Sequence, residues 1–438
     1  MTMIIQPAKK LYGNLRLPGD KSISHRAGLL AAMATGETRI ENFASSADCA
    51  ATLACLENLG VEITRENSTV IIKGVGKTGF HQPTVALDCE NSGTTVRLLS
   101  GILAGQNFTS TLSGDDSLKK RPMRRVIEPL EKMGASIKSE NGFLPLVIHG
   151  KNLLQAGALS SGAPSAQVKS CVLLAGLNAR GTTVFSEKTQ TRDHTERMLE
   201  WFGVKLIKNK TENGGEILID GNQFLTARDL QIPADVSSAA FFLVAAACLK
   251  KSELTLENVG LNPTRTAILD VLQTCGVRIE RANERDVCNE PIGDLTVYGD
   301  DEFARRKSPG ANVLQGATIA NLIDELPILA VFGTQIEGGL EIRDAAELRV
   351  KESDRIASVV ENLRRMGANV EEFPDGLRVE KSDLRAAQIQ SFGDHRIAMA
   401  FSIAALFARG ETEILGADCV KVSFPEFYQV LKDAIQEN

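Results

Sequence analysis

Hydrophobic and polar positions along this chain recur in two patterns. In the first, apolar residues alternate with polar ones at helical spacing and the run reaches a glycine, as in LENLGVEI, LEKMGASI, LEWFGVKL, LQTCGVRI and LRRMGANV. This spacing predicts an amphipathic helix with one buried and one solvated face. Glycine adopts the left-handed backbone that ends many helices. The pattern therefore predicts helix C-terminal caps at Gly60, Gly134, Gly203, Gly276 and Gly367.

The second pattern is a run rich in alanine and other small residues, followed each time by a short alternating strand. Six such runs occur: RAGLLAAMATGETRI, VRLLSGILAGQNFTSTL, VKSCVLLAGLNARGTTVF, AAFFLVAAACLKKSELTL, LPILAVFGTQIEGGLEI and IAMAFSIAALFARGETEI. Because these helices are apolar nearly all round, we expect them to be buried. The chain is therefore predicted to hold six copies of one unit: small-residue helix, strand, amphipathic helix, glycine and strand. The sixth copy is truncated at the C-terminus.

At 438 residues the chain is too long for a single hydrophobic core. The copies are longer than solenoid repeats and their loops differ, which favours two globular α/β halves of three copies each. The boundary is predicted near Gln231–Asp235, between the third and fourth copies. We therefore predict an N-terminal domain of residues 21–233 and a C-terminal domain formed by residues 1–20 and 234–438.

Two short strands are predicted before the first copy, at Met3–Ile5 and Tyr12–Leu17. They would lack sheet partners by themselves, so we expect them to pair with the C-terminal half. The chain would then cross between the halves twice, near Pro18–Lys21 and near Pro233–Asp235. Paired crossings form a hinge, and a hinge suits closure on a ligand.

Composition narrows the class of protein. Apolar residues make up 43% and charged residues 24% of the chain, which is ordinary for a globular enzyme. A net charge of −6 and an aromatic content of 5% argue against a general nucleic-acid-binding protein. The eight cysteines show no zinc spacing, and the N-terminus lacks the features of a signal or transit peptide. We expect a cytoplasmic protein with free thiols and no membrane partner.

Clusters of lysine and arginine lie where four helices are predicted to begin, the end at which positive charge is disfavoured by about 0.3–1 kcal/mol per site. The clusters are Lys21 and Arg26; Lys119, Lys120, Arg121, Arg124 and Arg125 around a predicted first-turn proline, Pro122; Lys351 and Arg355; and Arg396. One such case fits a solvated surface charge. Four together indicate binding sites for phosphate or carboxylate groups.

Two uncharged segments add candidate anion contacts. Asn91–Thr95 is a turn of small residues in which Gly93 permits close approach of backbone N–H groups to a phosphate, although most such turns are only turns. Ser165–Ser170 offers side chains that form hydrogen bonds before a buried helix. The alternative is that Ser165 simply caps that helix.

An acidic pair and three histidines complete the candidate groups. A carboxylate at Asp324 that faces several cations would be a candidate general base. The alternative is that Asp324 or Glu325 caps its helix. His25, His194 and His395 lie beside charged residues without metal-site spacing, so we expect hydrogen bonding within loops and no metal site.

These motifs, in this order, closely resemble the 5-enolpyruvylshikimate-3-phosphate (EPSP) synthase family, also called 3-phosphoshikimate 1-carboxyvinyltransferases. The matching segments span nearly the whole chain: LPGDKSISHR, NSGTTVRLLSGILAG, GDDSLKKRPMRR, SAQVKS, TRDHTERM, IDELPILA, RVKESDRI, GDHRIAM and SFPEF. The resemblance implies the two-domain enolpyruvyl transferase fold, with three βαβαββ repeats in each domain. It also implies transfer of the enolpyruvyl group of phosphoenolpyruvate to the 5-hydroxyl of shikimate 3-phosphate, with release of phosphate and without a metal or organic cofactor.

The resemblance assigns site residues motif by motif. Those expected at shikimate 3-phosphate are Lys21, Ser22, Arg26, Ser165, Ala166, Gln167, Arg192, Asp324 and Lys351. Those expected at phosphoenolpyruvate are Lys21, Gly93, Arg121, Gln167, Arg355 and Arg396. Asp324 is the implied proton acceptor at the attacking hydroxyl. Glu352 and Lys21 are both candidates for handling the proton at the phosphoenolpyruvate methylene group.

Several residues depart from the better-known bacterial pattern of this family: Glu90, Ser92, Ala166, Glu347 and Val422. Val422 stands where a lysine that binds phosphoenolpyruvate is common, which leaves Lys421 one residue out of register. These departures and the segment TRDHTERM resemble the family's second sequence class, in which Arg192 is implied to reach the shikimate phosphate. They bear on the Lys421 contact and on the response to glyphosate, and they leave the implied reaction unchanged.

Two other functions fit parts of the pattern. UDP-N-acetylglucosamine enolpyruvyl transferase is similar in fold and uses the same donor, but it typically carries a reactive cysteine in the loop that matches Gly114–Pro122. Here that loop reads GDDSLKKRP, without cysteine. The second is an anion-binding or regulatory protein that kept the fold and lost catalytic turnover. The presence of Asp324 and Glu352 argues against this alternative. We expect a monomer whose partners are the two small-molecule substrates.

Overall fold

The computed structural model describes residues 1–212, 214–300 and 312–436. They form two compact units. The N-terminal lobe comprises Gly19–Ile232 and Asp286–Glu290, and the C-terminal lobe comprises Met1–Pro18, Pro233–Arg285 and Pro291–Asn438. Across the described ranges, no helix has both the length and the apolar character that crossing a membrane requires.

The helices of the N-terminal lobe are α1 (Lys21–Met33), α2 (Ala47–Asn58), α3 (Gly93–Ala104), α4 (Arg124–Lys132), α5 (Ala166–Gly176) and α6 (His194–Trp201). Those of the C-terminal lobe are α7 (Val236–Cys248), α8 (Ala267–Thr274), α9 (Thr318–Leu322), α10 (Leu326–Gly333), α11 (Arg355–Arg365), α12 (His395–Leu406) and α13 (Phe427–Ala434). Short 3-10 helices lie at Leu118–Lys120, Ala346–Val350 and Ala417–Val422.

Two strands precede α1, namely β1 (Thr2–Ile5) and β2 (Lys10–Arg16). The next strands are β3 (Ala34–Glu41), β4 (Glu62–Glu66), β5 (Thr69–Val75), β6 (Leu87–Asp88), β7 (Thr109–Ser113), β8 (Ser136–Glu140), β9 (Phe143–His149), β10 (Leu154–Gln155), β11 (Ala158–Ser160), β12 (Ala179–Arg180), β13 (Thr182–Glu187), β14 (Leu206–Thr211), β15 (Gly214–Asp220), β16 (Leu225–Thr226) and β17 (Leu230–Gln231). The remaining strands are β18 (Glu253–Gly260), β19 (Arg278–Val287), β20 (Glu290–Tyr298), β21 (Val313–Leu314), β22 (Leu340–Ile342), β23 (Val370–Phe373), β24 (Gly376–Val379), β25 (Gln388–Gln390), β26 (Thr412–Leu415) and β27 (Ile435–Gln436).

Each copy in the N-terminal lobe builds one sheet, and each sheet takes a strand from another copy. The strand after the small-residue helix pairs antiparallel with a hairpin strand, as β3 does with β5 and β7 with β9. A further strand lies parallel beside it and comes from the preceding copy, as β6 beside β7 and β11 beside β13. The third copy ends in β16 and β17, which pair with β3 of the first copy. The three copies therefore close into a ring.

The C-terminal lobe repeats this arrangement but completes it with the start of the chain. β21 pairs parallel with β22, and β25 pairs parallel with β26. In the fourth copy the corresponding place beside β18 is taken by β2, and β1 pairs antiparallel with β26. The prediction that the opening strands pair with the C-terminal half is confirmed. β27, which ends the truncated sixth copy, also pairs with β2.

The small-residue helices form the core of each lobe, as their apolar pattern predicts. Every residue of α10 and α12 is buried, and α7, α10 and α12 contact one another. In the N-terminal lobe α3 packs against α1 and α5. A Cβ at Gly101 would overlap the backbone of Cys171, so α3 and α5 approach closely only because this position has no side chain.

The five glycines of the amphipathic pattern have the left-handed backbone predicted for them, with φ of 88° at Gly60, 95° at Gly134, 90° at Gly203, 94° at Gly276 and 81° at Gly367. The prediction for Pro122 is wrong. α4 begins at Arg124 with Met123 as its N-cap, so Pro122 precedes the helix. The Met123 N–H donates to the Gly142 carbonyl at 2.8 Å, which keeps this part of the chain outside the helix.

Candidate active site

Capping side chains fix the helix ends that carry the candidate residues. In each case an aspartate or serine accepts a hydrogen bond from a backbone N–H of the first turn, and this interaction stabilises a helix start by about 1 kcal/mol. The caps are Asp20 on α1 (2.9 Å), Ser92 on α3 (3.1 Å), Ser165 on α5 (3.4 Å), Asp354 on α11 (3.0 Å) and Asp394 on α12 (2.9 Å). Local sequence therefore decides where each candidate side chain leaves its helix.

The first candidate segment opens α1. Lys21 is the first residue of this helix, and its Nζ lies 2.8 Å from Asp48 Oδ2. Arg26 is 3% exposed. It donates from Nη1 to the Ser22 carbonyl and from Nη2 to Ser170 Oγ, both at 2.8 Å. Both cations lie near the N-terminal end of α1, where the helix dipole also favours an anion.

The second segment opens α3. Gly93 is the first residue of the helix, and a Cβ there would lie 2.7 Å from Arg97 Nη1 and 3.4 Å from Arg121 Nη1. Arg121 is 6% exposed and donates from Nη2 to Asn91 Oδ1 at 2.6 Å. The guanidinium groups of Arg97 and Arg121 therefore lie close to the Gly93 backbone, in space that a side chain at this position would fill.

The third segment opens α5 and is joined to α3. Ser165 is the N-cap and Ala166 the first helical residue. The Gln167 amide is held at both ends, because its Oε1 accepts from Arg97 Nη1 at 2.8 Å and its Nε2 donates to Thr94 Oγ1 at 3.0 Å. The Ser165 hydroxyl oxygen accepts the capping hydrogen bond from the Val168 N–H, and its own O–H is a further donor.

Arg192 precedes α6, and its Nη1 lies 3.5 Å from Ser22 Oγ. This contact connects it to the α1 segment. We call the following residues the N-terminal cluster: Lys21, Ser22, Arg26, Gly93, Arg121, Ser165, Ala166, Gln167 and Arg192. The pKa of the neighbouring, fully buried His25 is lowered well below its usual range, first by burial and then by Lys21 and Arg26. The two cations thus add to the effect of burial.

The C-terminal lobe brings the other candidates together around Asp324. Its Oδ1 lies 3.5 Å from Arg355 Nη1, and its Oδ2 lies 3.7 Å from Arg396 Nη2. The Asp324 carbonyl also accepts a hydrogen bond from Arg396 Nη1 at 2.8 Å. Asp324 therefore faces two cations, as predicted for this carboxylate.

Arg355 is the centre of this group. It is 1% exposed, and its Nε lies 2.8 Å from Asp394 Oδ2 while its Nη2 lies 2.6 Å from Glu352 Oε2. Burial alone would lower the pKa of Arg355, but Asp394, Glu352 and Asp324 outweigh it and raise that pKa. Arg355 is thus permanently charged and fixed in orientation.

Lys351 lies just before α11, and its Nζ is 4.0 Å from Glu347 Oε1. A quarter of its side-chain surface is exposed. Burial nevertheless lowers the pKa of Lys351, although Asp324 and Glu347 oppose that shift. We call the following residues the C-terminal cluster: Asp324, Lys351, Glu352, Arg355 and Arg396.

The acidic pair is not used for capping. α10 begins at Leu326 with Glu325 as its N-cap residue, but no side chain forms a capping hydrogen bond there. Glu325 instead accepts a hydrogen bond from Ser237 Oγ. The capping interpretation of this pair is therefore wrong, and the Asp324 carboxylate faces Arg355 and Arg396 instead. Lys421 lies in the 3-10 helix that includes Val422 and is exposed.

Two charged residues that contact these clusters, Arg97 and Asp394, had no predicted role. Arg97 was passed over because it follows the small-residue turn inside an apolar helix, yet it holds Gln167 in place. The feature of the sequence that could have indicated a role for Arg97 is a charged residue within an otherwise apolar helix. Asp394 lies in the motif GDHRIAM, which assigned it no role. In the structure it caps α12 and binds Arg355. An aspartate just before a helix predicts the cap, but nothing local predicts the arginine.

The described residues contain no group of three or more His, Cys, Asp or Glu side chains arranged to hold a metal ion. His25 Nδ1 instead forms a hydrogen bond with Thr52 Oγ1 at 2.6 Å, and His194 Nδ1 lies 2.7 Å from Glu290 Oε1. These two histidines therefore make hydrogen bonds within the protein.

Comparison with known proteins gives a consistent result over the whole chain. The family model described as EPSP synthase (3-phosphoshikimate 1-carboxyvinyltransferase) matches residues 5–431. The chain is 48% identical over 430 residues to the 3-phosphoshikimate 1-carboxyvinyltransferase of Solibacter usitatus, covering 98% of each chain. It is 47% identical over 425 residues to that of Bacillus subtilis, covering 96% of each.

A solved structure of EPSP synthase from Acinetobacter baumannii superposes with a TM-score of 0.84 at 39% identity, covering 99% of this chain and 98% of that one. The predicted α/β fold and the resemblance drawn from the motifs are both confirmed. By sequence and by fold, this chain belongs to the EPSP synthase (3-phosphoshikimate 1-carboxyvinyltransferase) family.

Proposed function

We propose that this chain transfers the enolpyruvyl group of phosphoenolpyruvate to the 5-hydroxyl of shikimate 3-phosphate and releases phosphate. This is the step of the shikimate pathway that leads to chorismate and the aromatic amino acids. The observation that carries the proposal is the family match along residues 5–431.

We assign the N-terminal cluster mainly to binding. Lys21, Ser22, Arg26, Ser165, Ala166, Gln167 and Arg192 contact shikimate 3-phosphate in this proposal. Gly93, Arg121 and Gln167, again with Lys21, contact phosphoenolpyruvate. Helix N-termini and guanidinium groups are the protein groups best suited to phosphate and carboxylate oxygens, which supports this division.

We assign proton transfer to the C-terminal cluster. Asp324 accepts the proton of the attacking 5-hydroxyl, while Arg355 and Arg396 bind phosphoenolpyruvate and Lys351 binds shikimate 3-phosphate. Protonation at the phosphoenolpyruvate methylene carbon lets the hydroxyl oxygen add to the adjacent carbon, giving a tetrahedral intermediate. Loss of phosphate, with removal of a proton from the methyl group, then forms the enol ether product. Glu352 and Lys21 are the candidates for the carbon proton.

We further propose a cytoplasmic monomer without a metal or organic cofactor. Its functional domains are residues 21–233 and residues 1–20 with 234–438. Supporting this division, the compact lobes change over between Pro18 and Gly19 and between Ile232 and Pro233. Size-exclusion chromatography with light scattering tests the oligomeric state.

A phosphate-release assay tests the proposed reaction. The chain is incubated with phosphoenolpyruvate and either shikimate 3-phosphate or UDP-N-acetylglucosamine, and phosphate is measured over time. Turnover with shikimate 3-phosphate alone is expected. Turnover with the nucleotide sugar would replace the proposed acceptor, and release with neither acceptor would indicate a protein that binds anions without catalysis.

A further inference from the structure

A fully buried lysine outside the assigned site lies in α5. Lys169 is 0% exposed, and its Nζ lies 2.7 Å from Glu196 Oε1 and 3.1 Å from Glu187 Oε1. Burial raises the pKa of Glu196, and Lys169 opposes that shift. A buried ion group of this kind is weak evidence for stability, because an apolar replacement of the whole group is often as stable. Its geometry therefore needs another explanation.

Lys169 and Glu187 both form hydrogen bonds with Thr191. Lys169 Nζ donates to the Thr191 carbonyl at 3.3 Å. Glu187 Oε2 accepts from the Thr191 N–H at 3.2 Å and from Thr191 Oγ1 at 2.7 Å. Backbone and side chain of Thr191 are thus fixed from two sides. The next residue along the chain is Arg192.

The other end of the same segment is also held. Thr195 Oγ1 accepts from Arg26 Nε at 2.7 Å and lies 2.6 Å from Ser170 Oγ. Ser170 follows Lys169 in α5, so two adjacent residues of one buried helix anchor both ends of the segment 191–195. Arg192 lies between these anchors, with its Nη1 3.5 Å from Ser22 Oγ.

We infer that Lys169 is a positioning residue that, through Glu187 and Thr191, sets the backbone from which Arg192 reaches the phosphate of the acceptor. The inference rests on the proposed function, which places Arg192 at that phosphate. Lys169 itself does not touch substrate. Its removal frees Thr191 and lets Arg192 take other orientations, which weakens a phosphate contact without changing the chemistry of proton transfer.

Steady-state kinetics of Lys169→Met test the inference. We expect the KM for shikimate 3-phosphate to rise about tenfold, while kcat and the KM for phosphoenolpyruvate stay within about twofold. Lys77→Met is the matched control, because Lys77 Nζ donates at 2.7 Å to the Leu177 carbonyl at the opposite end of α5. That variant loses a partly buried lysine contact in the same lobe and should leave all three parameters unchanged.

Thr191→Val provides a second variant that keeps every charge. It removes only the hydroxyl contact with Glu187, so folding is retained even if Lys169→Met does not fold. A rise of about threefold in the KM for shikimate 3-phosphate is expected. An unchanged value, or an equal rise for both substrates, would overturn the inference.

Two further measurements identify Arg192 as the intermediary. In an Arg192→Ala background, Thr191→Val should no longer change the KM for shikimate 3-phosphate, since interacting residues are non-additive. Binding of shikimate, which lacks the phosphate, should be equal in the parent and in Thr191→Val by calorimetry. Full additivity, or weaker shikimate binding in the variant, would assign these residues a general structural role.

The parent chain is assayed first, so the two proposals fail differently. Turnover by the parent with no acceptor-specific effect in the variants would overturn the role of Lys169 alone. Absence of turnover by the parent would overturn the proposed function, and the role of Lys169 with it.

Discussion

Arg355 of the C-terminal lobe differs from three arginines of the N-terminal lobe in the acceptors that hold its guanidinium. In the N-terminal lobe, neutral oxygens accept from Arg26, Arg97 and Arg121, namely those of serine, threonine, glutamine and asparagine side chains and a backbone carbonyl. In the C-terminal lobe, the carboxylates of Asp394, Glu352 and Asp324 surround Arg355. A neutral acceptor orients a guanidinium without adding a charge that competes with a bound anion. Carboxylates offset the charge and are themselves fixed, which suits groups that exchange protons.

Removing Arg355 tests the carboxylate side of this comparison and has the largest expected effect. Arg355→Met leaves three carboxylates around an apolar side chain. Loss of one partner from a buried ion pair costs about 3–5 kcal/mol. Urea denaturation should show a loss of that size in the free energy of unfolding. Arg409→Met is the control, because Arg409 and Asp383 form an exposed pair with side chains 74% and 80% exposed. An equal loss of unfolding free energy in both variants would show that the carboxylates around Arg355 stabilise the fold no more than an exposed ion pair does.

Asp324→Asn tests whether the C-terminal carboxylates do chemistry. We expect turnover to fall by about a hundredfold or more, because the amide cannot accept the hydroxyl proton. Substrate binding should be largely retained, since the contacts of Arg355 and Arg396 with anions lose only a competing charge. Asp383→Asn, at the exposed pair of the same lobe, is the control. Unchanged turnover would take the base role away from Asp324.

Gly93→Ala tests the neutral, anion-binding side. An added Cβ would lie 2.7 Å from Arg97 Nη1 and 3.4 Å from Arg121 Nη1, so at least one guanidinium must move. We expect the KM for phosphoenolpyruvate to rise about tenfold. Gly162→Ala is the control, since nothing lies within 4 Å of a Cβ at that position. Wild-type kinetics in Gly93→Ala would mean that this turn does not contact the donor.

The pH dependence of stability gives the smallest predicted effect. The pKa of His25 is lowered in the folded protein by burial and by Lys21 and Arg26. Below pH ~6.5 the unfolded chain therefore binds a proton that the folded chain does not, and stability falls as pH falls, by up to ~1.4 kcal/mol per pH unit. Above that pH the full contribution is present.

The difference between wild type and His25→Asn isolates this effect. Between pH 6.5 and 5.5, wild type should lose about 1 kcal/mol relative to the variant. His81→Asn, at an exposed position, is the control for replacing a histidine by asparagine. Parallel pH profiles for wild type and His25→Asn would show that the pKa of His25 is not lowered in the folded protein.

Short-range patterns explain how much could be predicted. The six small-residue helices and the five glycine caps follow from spacing alone, because burial of a helix face and the backbone of a cap depend on residues within one or two turns. Pro122 shows the limit of this reasoning. Proline fits a first helical turn, but a hydrogen bond from Met123 to Gly142, on the following hairpin, keeps it outside α4.

By itself the sequence determined the repeating unit, the pairing of the opening strands with the C-terminal half and the family. Only the tertiary structure decided which charges meet. Arg355 binds Asp394, 39 residues away, and Arg396 binds the carbonyl of Asp324, 72 residues away. The ion pairs of Lys169 with Glu187 and Glu196 likewise depend on the tertiary structure. The packing of the helices determines these partners. Local sequence spacing does not predict them, because a charged residue is the same letter in the sequence whether its neighbour in the fold is a carboxylate, a hydroxyl or water.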